Sequence, residues 1–391
     1  MDQFIHDENQ KIRSASLWRS CQIFKNTTSN EILLNDEKYI NFSSNDYLGY
    51  SHHPQVVEAG IAALNRYGSG GRSSRLISGT LDLHVELEEK LAKFKQFESC
   101  ILFPTGFMAN LGVISALLGE GDAILIDRYN HASMIDATKL AKCRVFVYEH
   151  CSVQSFEKVL ERTQNYKKRL VVTDALFSMD GDFAPLNAMV RLCQENKVWL
   201  MIDDAHATGV FGNGGIGMSE YFNLLGQIEI VMGTLSKALA SQGGFVCGKK
   251  ELVEFLVNRA RTFIFTTALS PVSCAAASKA IDLIHEEPER RKKLLDMAKM
   301  LRDELKQRFS RYIDEHSPDT QIIPFKTGSI EETQHFSEYL KSHKIIVPAI
   351  RPPTVPKDQC RLRFSLTADH TENDIQQLLD ALKQYQLFKK E

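Results

Sequence analysis

From Ser99 onward, short apolar runs alternate with amphipathic stretches about ten residues long. The runs at 101–103, 123–126, 144–148, 170–173, 198–202, 228–232 and 245–247 predict strands. The stretches at 107–118, 133–141, 155–163 and 186–196 predict helices. Strands this short and apolar, separated by helices, are those of a mostly parallel sheet covered on both faces, so the pattern predicts an α/β fold. Before this region, strand-like runs at 31–34 and 39–42 flank an Asn35-Asp36 turn, as in a small hairpin. After about residue 285 the rhythm changes. Long charged helices are expected at 286–309, 331–342 and 372–387, beside short strands at 321–324, 345–347 and 361–365, which suggests an α+β lobe. The pattern divides the chain into an N-terminal arm (1–40), a large domain (41–285) and a small C-terminal domain (286–391).

Composition narrows the class. The chain has 391 residues, 43% hydrophobic and 25% charged, which supports one large core and a smaller one. Net charge is -2 with the two signs interspersed, and no basic run is present, so nucleic acid is not an expected partner. The eight cysteines contain no C-x-x-C pair, which points to neither a zinc site nor a disulfide framework, and fits reduced thiols in a cytoplasmic protein. No run approaches the ~20 apolar residues that span a bilayer, and the first residues lack the features of a signal peptide, so no membrane is expected either.

In open α/β sheets ligands sit at the carboxyl ends of strands, so polar residues directly after apolar runs carry the most weight. Thr105-Gly106-Phe107 follows one run and opens a helix, where free N–H groups and the helix dipole favour an anion and glycine permits its close approach. His131 follows the next run and can lay its ring on a planar ligand or serve as a structural histidine. Asp203 closes the run 198–202 with His206 three residues beyond, a pair open both to cleft chemistry and to helix capping. Thr234-Leu-Ser-Lys237 presents a lysine among small residues. That lysine is either a surface cation or an amine poised for a Schiff base. A letter-by-letter match to G-x-G-x-x-G at Gly212 to Gly217 follows a loop, not a strand, and lacks a βαβ frame, so it is not read as a nucleotide site. An anion-binding helix start, a stacking histidine, a carboxylate, a second histidine and a lysine amine together are the set that pyridoxal 5'-phosphate requires.

Beyond these signals, the chain resembles the α-oxoamine synthases, fold-type I enzymes that use pyridoxal phosphate to join an amino acid to an acyl thioester with loss of carbon dioxide. The matching segments run in order through Asn41 to Gly49, Ser73 to Gly79, Thr105-Gly-Phe107, Asn130-His-Ala-Ser133, Phe177-Ser-Met-Asp-Gly-Asp182, Asp203-Asp-Ala-His206 and Thr234-Leu-Ser-Lys237. The resemblance implies that Lys237 holds the cofactor as an imine, Asp203 pairs with the ring nitrogen, His131 stacks on the ring, and His206 and Ser178 meet the ring hydroxyl. By the same resemblance Gly106, Phe107 and Thr234 bind the phosphate, Asn45 and Arg363 the substrate carboxylate, and Arg19 the far end of the acyl chain.

The segment Ala349-Ile-Arg-Pro-Pro-Thr354-Val-Pro356 is similar to that of the member that condenses L-alanine with a pimeloyl thioester, on coenzyme A or acyl-carrier protein, in biotin synthesis, placing Thr354 near substrate. Synthases using glycine or serine, and a pyridoxal phosphate aminotransferase, stay open as alternatives. The resemblance also implies a homodimer. One departure stands out: Arg72 occupies a place where the family's glycine-rich segment carries a small residue.

Overall fold

The computed structural model describes residues 1–26 and 28–388. The chain forms two compact units. One comprises residues 46–178 and 182–292, the other residues 1–45, 179–181 and 293 onward.

The first unit is built on a seven-stranded sheet in the order Ser99–Phe103, Gly244–Gly248, Ile230–Thr234, Trp199–Asp203, Arg169–Asp174, Ala123–Asp127, Arg144–Tyr148. Six of the seven strands run in one direction, five of them paired side by side in parallel. Gly244–Gly248 is antiparallel to both of its neighbours, pairing Gly244 with Phe103 on one side and with Thr234 on the other. Ala123–Asp127, Ile230–Thr234 and Gly244–Gly248 are buried along their whole length, as apolar strands covered on both faces must be. The strand Arg144–Tyr148 closes one edge, and only its last residue is buried.

The helices on the sheet begin where capping side chains stop the strands from continuing. Thr105 accepts the N–H of Met108 at 3.1 Å at the head of Gly106–Leu117, and Ser152 accepts that of Ser155 at 3.2 Å before Val153–Glu161. The helix Gly106–Leu117 is apolar on most of its surface and is central to the core, its Ala109, Val113 and Ile114 packing with Phe103, Ile124, Met134 and Met232. Among the helices with no counterpart in the hydrophobic pattern read from sequence are Pro54–Tyr67, Asp82–Lys95, Lys250–Arg259 and Pro271–Glu286. Pro271–Glu286 packs on Pro54–Tyr67, where a Cβ built on Gly60 would lie 3.4 Å from Val272 Cγ1.

In the second unit, the hairpin Glu31–Leu34 and Glu37–Asn41 gains Ile345–Ile346 as a parallel partner, with Ile345 opposite Ile40. The N-terminal segment read as an arm is thus stitched into the same unit as the C-terminal part. A second sheet pairs Cys360–Ser365 with Ile322–Gly328 and Ala349–Ile350, and the helices Ile330–Ser342 and Glu372–Phe388 belong to this unit. An additional helix, Asp2–Ser14, buries none of its residues. Among the described residues no helix is long and apolar enough to cross a membrane.

The loop Gly212 to Gly217 has its donors occupied by the protein itself. The Glu220 carboxylate accepts the N–H of Gly214 at 2.9 and 3.0 Å and that of Ile216 at 3.1 Å. A carboxylate already seated there leaves no cradle for a phosphate, in keeping with the reading of this segment as something other than a nucleotide site.

Candidate active site

At the carboxyl ends of the parallel strands the first unit opens a cavity of about 480 Å³. Gly106, Phe107, His131, Asp203, His206, Thr234 and Lys237 line it, joined by Asn110, Ser133, Asp174, Ala205 and Met232. Asp174, Asp203 and Thr234 end strands, and Gly106, His131 and His206 come shortly after strand ends, the place where side chains leave the sheet and helices start.

Asp203 is the last residue of Trp199–Asp203 and is buried. Its carboxylate accepts Nδ2–H of Asn110 at 2.8 Å and the N–H of Ala205 at 3.0 Å, and the Asn110 amide also donates to Ser133 Oγ at 2.9 Å. Strand alternation sends the next side chain to the other side. Asp204 meets Lys95, Nζ to Oδ2 2.7 Å, with both side chains wholly buried. Lys95 also donates to Thr208 Oγ1 at 2.9 Å and to the carbonyl of Ile216, while Asp204 Oδ1 accepts the N–H of Met218 at 3.1 Å. This pair anchors the turn Asp203 to Gly209 from beneath. His206, on the same turn, is buried, and its Nδ1 lies 2.6 Å from the hydroxyl of the fully buried Tyr47.

His131 stands exposed at the mouth of the cavity, edge-on to Phe107 with ring centroids 6.4 Å apart. Its Nδ1 is 2.7 Å from Ser133 Oγ, and its N–H donates to Asp174 Oδ2 at 2.8 Å. Desolvation by the surrounding protein holds the imidazole below its ordinary pKa; Asp203 opposes this and the Lys237 ammonium adds to it. His131 is therefore neutral at neutral pH, a flat uncharged ring. Asp174 is pushed well above the usual carboxylate range by burial and by the neighbouring Asp203 charge. Two carboxyls close together cannot both ionise cheaply, which is the physical reason for the rise at Asp174.

Lys237 is half-buried in the loop that joins Ile230–Thr234 to Gly244–Gly248. That loop is pinned at both ends. Thr234 Oγ1 donates to the Gly243 carbonyl at 2.9 Å, Leu235 N–H donates to the same carbonyl at 3.0 Å, and Ser236 Oγ accepts the Gly243 N–H at 3.2 Å. At Gly106 a Cβ would lie 3.0 Å from Met232 Cε and 3.6 Å from Thr234 Cβ, so the bare glycine leaves the helix start open toward the cavity. That observation fits a phosphate group: unhindered N–H donors at a helix N-terminus, beside the Thr234 and Ser236 hydroxyls.

Of the other residues named from sequence, Ser178 is half-buried in the turn after Phe177 and is not among the lining residues. Asn45 and Arg363 belong to the second unit and meet there, Arg363 Nη2 donating to Asn45 Oδ1 at 3.2 Å from the wholly buried strand Cys360–Ser365. Arg19, exposed in the same unit, donates to the Pro352 carbonyl at 2.8 Å, and Arg351 donates to those of Ser16 and Trp18, at 3.0 and 2.8 Å. Thr354 is exposed, its N–H on the Arg351 carbonyl at 3.1 Å. Arg72 sits at φ 61°, and its guanidinium donates to the Tyr67 carbonyl, so the departure at this position is accommodated by a left-handed backbone in an exposed turn.

Sequence reasoning missed Asn110, Asp174 and Tyr47. Asp174 ends a strand as Asp203 does, and the same rule would have found it. Asn110 lies one helical turn beyond Gly106, on the face that the helix start presents to the cavity.

The chain matches the family model for aminotransferase class I and II over residues 37–382, and this sheet with a lysine, a carboxylate and histidines at its strand ends is that of a pyridoxal-phosphate-dependent transferase. It is 42% identical over 96% of both chains to an 8-amino-7-oxononanoate synthase of Lysinibacillus sphaericus, and 40% identical to that of Geobacter sulfurreducens over 98% of this chain and 97% of the relative. Among solved structures, a serine palmitoyltransferase from S. paucimobilis, bound to a PLP–myriocin aldimine, is similar at TM-score 0.89 and 31% identity, covering 96% of this chain and 95% of that one. An 8-amino-7-oxononanoate synthase from Francisella tularensis is similar at TM-score 0.77 and 27% identity, over 90% of this chain and 99% of the other. The chain belongs to the 8-amino-7-oxononanoate synthase family.

Proposed function

We propose that the chain condenses L-alanine with a pimeloyl thioester, carried on coenzyme A or on an acyl-carrier protein, to give 8-amino-7-oxononanoate, carbon dioxide and the free thiol. The observation that carries this reading is the convergence of Lys237, Asp203, His131 and His206 on one cavity beside the Gly106 helix start. When bound there, pyridoxal phosphate accepts into its ring the electron pair left at the amino acid's α-carbon, so that this carbon can attack the thioester.

The chain's own residues do the rest. Gly106 and Phe107 offer backbone N–H groups, and Thr234 a hydroxyl, to the phosphate. Asp203, oriented by Asn110 and the Ala205 N–H, faces the ring nitrogen and keeps its proton in place. His131 would stack on the ring, and its lowered pKa would leave an uncharged imidazole able to accept or return a proton during the acyl step. His206, braced by Tyr47, and Ser178 hold the ring hydroxyl. Lys237 would anchor the cofactor, and its Nζ, when free, would take the substrate's α-proton and later return one. Asn45 and Arg363 hold the substrate carboxylate, for which a planar guanidinium is suited. Arg19 and Thr354, both by the 351–354 segment, serve the acyl chain.

A homodimer fits the exposure of Ile77 and Phe265, 80% and 69% exposed on adjoining segments, because apolar side chains so placed mark a buried face of an assembly. Eight free thiols suit a reducing, cytoplasmic setting.

The test is a matrix of amino acids (alanine, serine, glycine) against acyl thioesters (pimeloyl, palmitoyl, acetyl), scored by free thiol and product mass. Alanine with pimeloyl thioester is expected to dominate. Dominance of serine with palmitoyl thioester would favour the chemistry of the serine palmitoyltransferase neighbours, and keto-acid release without thiol would favour transamination. Lys237→Ala should lose both turnover and the cofactor's visible absorbance; turnover at the wild-type rate would sink the assignment.

A further inference from the structure

Outside the cavity, the densest titratable cluster of the first unit is Asp127, His150, Cys151 and Asp182. His150 Nδ1 lies 2.9 Å from Asp127 Oδ1, and its Nε2 lies 3.0 Å from Asp182 Oδ2. A neutral imidazole has one N–H and satisfies one such acceptor; only the doubly protonated ring donates to both. Asp127 ends the strand that leads into Asn130 and His131, and it also accepts the N–H of Tyr129 at 2.8 Å. Asp182 closes the turn that carries Ser178, its carbonyl accepting the Phe177 N–H at 2.9 Å, and the edge of His150 packs on Phe177 at 4.5 Å.

We propose that His150 is a positioning residue: bonded to Asp127 through one ring nitrogen and to Asp182 through the other, it locks the Phe177 to Asp182 turn to the strand end bearing His131, and so holds the Ser178 hydroxyl on the cofactor. This rests on the reading of Ser178 given above. The groups facing His150 agree with it. Burial, which lowers its pKa, is outweighed by its hydrogen bonds to Asp127 and Asp182 with help from Cys151, and the imidazole is pushed up to about 12. Asp127, His150 and Cys151 also have the spacing of a metal-ligand set, within 4.8 Å of one another. Against that role, both ring nitrogens already face carboxylates, and burial first of all pushes the Cys151 thiol up to about 11, away from the thiolate a metal needs.

The experiment compares His150→Gln, Asp182→Asn, Ser178→Ala and the His150→Gln/Ser178→Ala double variant with wild type. It measures the dissociation constant of pyridoxal phosphate from the apoprotein, the pH midpoint of the bound cofactor's visible absorbance, zinc content, and melting temperature as a check on folding. His150→Gln should weaken cofactor binding about tenfold, the value of one lost charged hydrogen bond. It should also move the absorbance midpoint in the same direction as Ser178→Ala, and the double variant should be no worse than Ser178→Ala alone. Asp182→Asn, which keeps an acceptor but removes the charge, should give a smaller change of the same sign and carries the test if His150→Gln does not fold. Ser178→Ala altering both readouts while His150→Gln and Asp182→Asn alter neither would overturn the proposal, as would losses that multiply in the double variant, or stoichiometric zinc that His150→Gln removes. A silent Ser178→Ala would overturn the Ser178 reading and this proposal with it.

Discussion

Replacing Lys95 by methionine leaves the Asp204 carboxylate buried with only the Met218 N–H, at 3.1 Å, and the Thr208 hydroxyl, at 3.3 Å, as partners. Breaking a buried pair from one side costs about 3–5 kcal/mol, a large share of the ~5–15 kcal/mol that holds a folded domain together. The variant has one escape, which is to protonate Asp204. Burial already raises this carboxyl above its ordinary range, with Lys95 opposing, so removal of the lysine raises it further. The sign follows from linkage. Above pH ~3.9 the unfolded chain has released this proton while the folded variant retains it, so the variant loses up to ~1.4 kcal/mol for each pH unit. The deficit relative to wild type should therefore widen between pH 5 and pH 7, toward the ~3–5 kcal/mol of a buried pair broken from one side. Urea denaturation of both proteins across that range, with cofactor held saturating, measures it. Adding Asp204→Asn to Lys95→Met should recover most of the loss at pH 7. A deficit independent of pH, or one that is larger at pH 5, would refute the reasoning. Because the pair underpins the turn that bears Asp203 and His206, cofactor affinity should fall along with stability.

Two further outcomes follow from the same physics. Burial pushes His370 down to about 4; its Nδ1 accepts the Thr367 N–H at 2.9 Å and its ring stacks on Phe42 at 4.5 Å. The unfolded chain therefore takes up this proton first as pH falls below ~6.5, and up to ~3 kcal/mol of stability is lost on the way to pH 4; in His370→Asn, urea midpoints should lose this part of the pH slope, and an unchanged slope would count against it. Gly106→Ala brings a methyl to 3.0 Å from the flexible end of Met232, so the protein should fold with a nearly unchanged melting temperature yet bind pyridoxal phosphate at least about tenfold more weakly, as read by absorbance titration.

The alternation of apolar runs and amphipathic stretches carried the central sheet and its helices, with boundaries displaced by a residue or two, because frayed ends depend on caps such as Thr105 and Ser152. The antiparallel insertion of Gly244–Gly248 was not legible, since strand direction leaves no trace in a five-residue apolar run. Pro271–Glu286 escaped because its first turns bury only Pro271, Cys274, Ala277 and Ala280, and its large apolar residues Ile281, Leu283 and Ile284 come together near its end. Residues placed after strands were legible as candidates for a reason of geometry, and Asp203, His131 and Lys237 lie around one cavity on that account. Partners that act through contact, such as Tyr47 on His206 or Lys95 on Asp204, lie 159 and 109 positions away in sequence, and no local spacing encodes them.

The loop that carries Lys237 is closed on itself by Thr234, Leu235 and Ser236 meeting Gly243, and it returns at once into the buried strand Gly244–Gly248. Its backbone has no slack. Every excursion of the amine must then be made by the four-carbon stem of the lysine alone, swinging from a stationary base. A longer loop would turn that short tether into a drifting one, so this connection is where the chain should be least tolerant of an inserted residue, even though it is a loop and not part of the core.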